Sequence, residues 1–150
     1  MQEALDLAVE NVRSGRGGPF AALVVKDGMV IARGTNLVTS VNDPTAHAEI
    51  MAIRQACAHL GSFQLDDCDL YTTCEPCPMC LGAIYWARPR RVFYAATHDE
   101  AAAAGFDDAF IYDEIDKTPA DRRIEMTTLL RGEAQRPFSA WMEKEDRVAY

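Results

Sequence analysis

The sequence predicts an α/β domain: a mixed or parallel β-sheet with helices on both of its faces. Three observations carry that expectation. Stretches with a helical apolar period alternate with short apolar runs of strand length. The helical stretches between strands are long enough to serve as crossovers. An Asp-Gly pair stands between two apolar runs near the start of the chain, which is a hairpin signal.

Taken in order, Leu5, Ala8, Val9 and Val12 recur at helical spacing and mark a first amphipathic helix, which Gly15, Gly17 and Gly18 end. The apolar runs at 20–25 and 29–32 flank Lys26-Asp27-Gly28 and read as the hairpin, followed by a polar loop from Asn36 to Asn42. Ile50, Ile53, Ala56 and Cys57 continue a helix that stops near Gly61. Residues 69–73 read as a short strand, 81–87 as a helix running to Pro89, and 92–96 as a buried strand. From 99 to 125 the chain is acid-rich, mostly a solvated face, with a helical turn at 101–104 and a break at 105–108. Phe110, Ile111 and Ile115 suggest a short helix, 124–130 a last strand, and 137–141 the start of a terminal helix before a charged tail ending in Tyr150. No repeat, low-complexity segment or second domain is visible, so residues 1–150 read as one domain.

Two stretches concentrate the chemistry, Ala46-His47-Ala48-Glu49 and Pro76-Cys77-Pro78-Met79-Cys80. Zinc takes imidazole nitrogen and thiolate sulfur, and a catalytic site keeps three protein ligands and one open position. His47, Cys77 and Cys80 supply that count. Pro78 suits a first helical turn, so Cys77 and Cys80 fall at a helix start with i, i+3 spacing, where the N-terminus favours thiolates. Glu49 has no place in a structural zinc site and suits a proton shuttle. On a continuous helix His47 and Glu49 would lie about 200° apart. They can work together only if the helix begins there, with Asp43 or Thr45 as cap and Pro44 in the first turn. Cys74 with His47, Cys77 and Cys80 would instead make a closed Cys3His site that needs no Glu49, and an iron–sulfur cluster would lack its fourth Cys-Pro. Cys57 and Cys68 read as buried apolar fillers.

A chain of 150 residues with 49% apolar content can build a proper core. Its first residues carry no basic and apolar leader, and no apolar run reaches about 18 residues, so neither secretion nor membrane spanning is expected. Five cysteines, three of them at metal spacing, fit a reducing cytoplasm. A formal charge of −8 argues against a polyphosphate partner, although Arg88-Pro89-Arg90-Arg91 is a local basic patch. No nucleic acid is expected, and a small, nearly neutral substrate fits.

The His-x-Glu and Pro-Cys-x-x-Cys pattern is the signature of zinc-dependent nucleobase deaminases. With it stand Gly17-Gly18-Pro19-Phe20, Asn42-Asp43-Pro44-Thr45 before His47, Thr73-Cys74-Glu75 before the cysteine pair, Leu81-Gly82-Ala83-Ile84-Tyr85-Trp86-Ala87-Arg88 after it, Gly105-Phe106-Asp107-Asp108 and Glu114-Ile115-Asp116-Lys117. On these residues the chain resembles the bacterial guanine deaminases of the cytidine deaminase-like superfamily, over most of its length and least from 118 to 136. The zinc signature alone is shared with tRNA adenosine and cytosine deaminases; the last two segments are what lean toward guanine. The resemblance implies a three-layer α/β/α cytidine deaminase-like fold with a five-stranded mixed sheet whose fourth and fifth strands are parallel.

By the same resemblance, zinc makes a water reactive at neutral pH toward C2 of guanine, Glu49 shuttles the protons, and xanthine and ammonia leave. Asn36 matches a position whose amide meets the purine edge, or is a loop-capping residue. Asp108 matches a carboxylate that accepts from the base, or is one more exposed acid. Phe20 and Trp86 suit either a stack on the base or the core, and His59 and His98 read as surface or capping residues. The family's C-terminal segment is exchanged between subunits, which implies a homodimer in which residues of about 137–150 cross over and Tyr150 closes the partner's site.

Overall fold

The computed structural model describes residues 1–149, and Tyr150 lies outside them. Helix α1 (Gln2–Arg13) buries Ala4, Ala8 and Asn11, while Leu5, Val9 and Val12 stay half exposed. The small side chains bring α1 close to the sheet, and the larger apolar ones flank that contact instead of making it. Strands β1 (Ala21–Lys26) and β2 (Met29–Thr35) form the expected antiparallel hairpin. Asp27 and Gly28 at its tip both have positive φ, 50° and 78°, as a two-residue turn matching strand twist requires.

After the short helix α2 (Val38–Val41) comes α3 (Ala48–Leu60), then β3 (Cys68–Cys74), α4 (Pro78–Ala87), β4 (Arg91–Ala96) and α5 (His98–Ala103). The sheet order is β2-β1-β3-β4, with β3 antiparallel to β1 and parallel to β4, so α4 is the crossover that parallel pairing demands. Alternate positions of β1 face opposite ways. Ala22 and Val24 join Ala32, Leu70, the α3 stripe Ala48, Ala52 and Ala56, and Ile84 and Ala87 of α4 in one apolar core. Ala21 and Leu23 are buried on the other face, where α1 packs on β1 and β3. A Cβ at Gly34 would overlap the Ala48 carbonyl oxygen, so a glycine is what lets the start of α3 press onto β2.

Among the described residues the sheet has four strands, not five. Residues 124–130 pair with no strand: their apolar residues Ile124, Met126, Leu129 and Leu130 do not keep one face, a strand also needs a neighbour for its backbone groups, and Leu130 turns the chain at φ 50°. The parallel pair is accordingly the third and fourth strands. β4 is an outermost strand rather than a buried one, with Phe93 36% and Tyr94 51% exposed. At its N-terminal end, Asp69 of β3 is buried and accepts two bonds each from Arg90 and Arg91.

The chain divides into two units, Met1–Asp108 and Ala109–Tyr150. The second holds α6 (Ala109–Asp116) and α7 (Arg136–Glu143). Within it the Glu114 carboxylate accepts from Lys117 Nζ and the Arg123 N–H, both at 2.7 Å, which folds the chain back on the end of α6. No helix among the described residues is long and apolar enough to cross a membrane.

Candidate functional site

The starts of α3 and α4 meet at the C-terminal end of β3. His47 is the N-cap residue of α3, with extended backbone (φ −72°, ψ 156°), and Ala48 is the first helical residue. That break in helical geometry turns His47 and Glu49 toward one place although helical phase would separate them. Neither Asp43 nor Thr45 caps α3, and Pro44 is not in its first turn. Asp43 Oδ1 instead accepts from the Thr45 N–H and hydroxyl, an Asx turn that spends the carboxylate before the helix begins. α4 follows the sequence expectation: Cys77 is its N-cap residue, Pro78 opens its first turn and Cys80 is buried one turn on.

Cys77 Sγ and Cys80 Sγ each lie 3.5 Å from His47 Nδ1, and the three atoms fall within 4.8 Å of one another. A tetrahedral zinc with bonds of about 2.0 Å to nitrogen and 2.3 Å to sulfur needs N···S separations of about 3.5 Å, so the donor set fits zinc. Cys74 does not join it; its Sγ donates to the Thr97 carbonyl and burial pushes its thiol up to about 11. Cys77 is pulled down to about 4, first by the Cys80 thiol and then by His47. Cys80 is raised, chiefly by the neighbouring Cys77 sulfur, and His47 is raised, chiefly by its bond to Cys77. The two sulfurs and the imidazole thus compete for the same protons, and a bound cation would release those that remain.

Glu49 is 6% exposed. Thr72 Oγ1 donates to its Oε1 at 3.0 Å, and Oε2 lies 3.4 Å from Cys80 Sγ. Burial is the main cause that raises its carboxyl above the usual range, and the Thr72 bond works against it. A carboxylate that holds a proton more readily than a solvated one, beside a cation site, is equipped to take and return protons.

These groups line a cavity of about 110 Å³. Its walls include Phe20, Asn36, Glu75, His98, Phe106 and Asp108. Phe20 and Phe106 meet edge to face with ring centroids 4.9 Å apart. Burial raises the Asp108 carboxyl. Asn36 Oδ1 already accepts from the N–H groups of Gly18 and Val38, at 3.4 and 3.3 Å, so the amide has its donor end, Nδ2, left for the cavity.

Of the residues expected at the site, His47, Glu49, Cys77, Phe20, Asn36 and Asp108 line the cavity, and Cys80 joins His47 and Cys77 in the metal-binding cluster. Trp86 does not line it. It is 63% exposed, because α4 turns Cys80, Ile84 and Ala87 inward and the ring falls on another side of that helix. Tyr150 lies outside the described residues. His98, which the sequence reads as a surface or capping residue, lines the cavity, as does Phe106. Thr97 and Glu100 form a capping box, a Thr-x-x-Glu signal that was available to place His98 in the first turn of a helix directly after β4.

Residues 1–96 match the family model described as the cytidine and deoxycytidylate deaminase zinc-binding region. The guanine deaminase of Bacillus subtilis is 59% identical over 150 residues, which is all of this chain and 96% of that protein. The crystal structure of Bacillus subtilis guanine deaminase superposes with a TM-score of 0.97 over 99% of this chain and 95% of the other. A tRNA-specific adenosine deaminase of Agrobacterium fabrum is 51% identical over 85 residues, 57% of this chain and 56% of that one.

Proposed function

The chain belongs to the cytidine and deoxycytidylate deaminase zinc-binding family, and from that premise we propose that it hydrolyses guanine to xanthine and ammonia. The observation that carries the substrate is the extent of the likeness. Similarity to guanine deaminase runs through the whole chain, past residue 96 where the zinc-binding region ends, whereas similarity to the tRNA enzyme covers 57% of it.

His47, Cys77 and Cys80 are the residues that would hold zinc. The ion would supply Lewis acidity, which makes a water nucleophilic at neutral pH. Glu49 would take one proton from the attacking water and pass it to the ring nitrogen beside C2 as the C2–O bond forms. It would then take the second from the hydroxyl now on C2 and give it to the amino group, which leaves as ammonia when the C2–N bond breaks. Such steps contribute about 10²–10⁴ in rate. Its buried seat and the Thr72 bond fix where the carboxylate stands between steps. Asn36 offers N–H groups to an acceptor on the purine edge, and Asp108 accepts from the base's own N–H groups. Phe20 and Phe106 form an apolar wall and keep water from the base.

The test is ammonia release from guanine, cytosine, adenine, their nucleosides and a tRNA anticodon stem-loop. Guanine should be the best substrate. Preference for the stem-loop with a salt-dependent affinity would replace this reading by tRNA adenosine deamination, and no ammonia from any base would leave a zinc-stabilised binding module.

Residues 1–150 act as one deaminase domain, cytoplasmic and dimeric, with residues of about 137–150 exchanged between copies so that Tyr150 closes the site of the second copy. The exposed Phe138, Trp141 and Met142 of α7 support an exchanged segment, since apolar faces of that kind belong against a partner. Deleting residues 148–150 should lower guanine turnover or affinity well beyond its effect on stability. Full activity of the shortened protein, or a monomer on sedimentation of the intact one, removes the exchange.

A further inference from the structure

We infer that Asn11 of α1, which lines no part of the cavity, is a positioning residue for purine binding: it sets the Asn36 carboxamide by holding the main chain of Asn36 and Gly18. This rests on the reading of the cavity as a purine site.

Asn11 is fully buried, and its Nδ2 donates to the Gly18 carbonyl at 2.9 Å and the Asn36 carbonyl at 2.8 Å. Its Oδ1 has no partner within the protein. A buried, unpaired carbonyl is a cost that an apolar side chain would avoid, and the other residues α1 buries, Ala4 and Ala8, are apolar. For packing alone Asn11 is therefore a poor choice. What it offers beyond an alanine is its two donated bonds, and both end on the segments that fix Asn36.

Asn36 is held at nearly every polar atom. Its N–H donates to the Phe20 carbonyl at 3.0 Å, its carbonyl accepts from Asn11, and its Oδ1 accepts from the Gly18 and Val38 N–H groups. Gly17 lies so close that a Cβ there would overlap the Asn36 carbonyl oxygen. The two bonds to Oδ1 are long and depend on where Gly18 sits, and Gly18 is the other residue Asn11 holds. Together they decide which end of the amide the cavity meets. With Oδ1 engaged, Nδ2 is presented, and the site reads an acceptor on the base. Without the Asn11 bonds the Gly18 segment relaxes, the amide loses its fixed direction, and a turned amide sets oxygen against the base's acceptor. Glu49 and the metal ligands stand on α3 and α4, so the loss should fall on binding and spare the chemical step.

The experiment is a double-mutant cycle on the zinc-replete protein, with Asn11→Ala, Asn36→Ala and the pair, reading KM and kcat for guanine, zinc content and melting temperature. Asn11→Ala should raise KM about tenfold, the scale of a lost buried hydrogen bond, with kcat within about threefold and zinc unchanged. In the Asn36→Ala background the same change should alter KM less than about twofold while still lowering the melting temperature. Asn11→Ser keeps one donor and should fall between wild type and Asn11→Ala; the cycle is run with it if the alanine variant does not fold. An Asn11 effect on KM that adds fully to that of Asn36→Ala, or a lowered melting temperature with unchanged KM, overturns this inference and leaves the functional reading standing. No guanine turnover by the wild-type protein overturns both.

Discussion

At the floor of the cavity His47, Glu49, Cys77 and Cys80 come from the first turns of two helices, whereas its rim takes Phe20, Asn36, Phe106 and Asp108 from connections between elements. The floor is over-determined. Each of its residues lies within one turn of a helix start, and Thr72 of the central strand β3 fixes Glu49 from behind. The rim holds its shape through the main-chain and side-chain hydrogen bonds of Asn36 and one ring contact. On the proposed function the difference separates tasks: rigid elements would carry the reaction, and connections that tolerate change would carry the choice of substrate.

If that division holds, damage to the floor should abolish chemistry and damage to the rim should weaken binding. The largest effect belongs to Cys80→Ala, which should lose the metal, about one zinc per chain in the wild type, and with it guanine turnover, because three ligands leave none to spare. A metal-replete and active Cys80→Ala protein would sink the ligand assignment. Glu49→Gln comes next. It should keep fold and zinc and lose at least about 10²-fold in kcat; loss of metal without loss of activity per bound zinc would argue for a structural site. On the rim, Phe106→Ala removes one ring of an edge-to-face pair and should raise KM for guanine about fivefold with zinc unchanged. A fall in kcat equal to the rise in KM would mean that the rim also shapes the reaction.

The smallest expected effect lies away from both. The Asp69 carboxyl is held well below the usual range, by Arg91 first and Arg90 second. A depressed native pKa means stability that is present above the unfolded carboxyl value of about 4 and lost as pH falls below it. The difference in urea midpoint between wild type and Asp69→Asn should therefore shrink from pH 7 to pH 3, while guanine turnover at pH 7 stays the same. A difference that does not change with pH would show that Asp69 acts through packing alone.

The floor was also the legible part of the sequence. His47, Glu49, Cys77 and Cys80 stand in two short motifs whose spacing is meaningful as local helix geometry, and Pro78 marks one helix start outright. The exact cap was not legible: Asp43 competes for it by closing its own Asx turn. The hairpin at Asp27-Gly28 is equally local and could be read directly. What the sequence left open depended on partners distant in sequence. A fifth strand at 124–130 needed to pair with an edge of the sheet, which no periodicity can promise, and Trp86, open to either a stack or the core, lies on an exposed side of α4. His98, Phe106 and Asn11 matter through contacts with residues far along the chain, which one sequence does not display.

His47 and Cys77 stand thirty residues apart, and all of α3 and β3 lies between them. An ion clamped by both is thus a cross-link as well as a Lewis acid. By chain-entropy reckoning, closing a loop of about 30 residues is worth roughly 3–4 kcal/mol, a large share of what keeps a domain of this size folded. With zinc bound there, supply of metal would add to the folded fraction through mass action as well as to turnover.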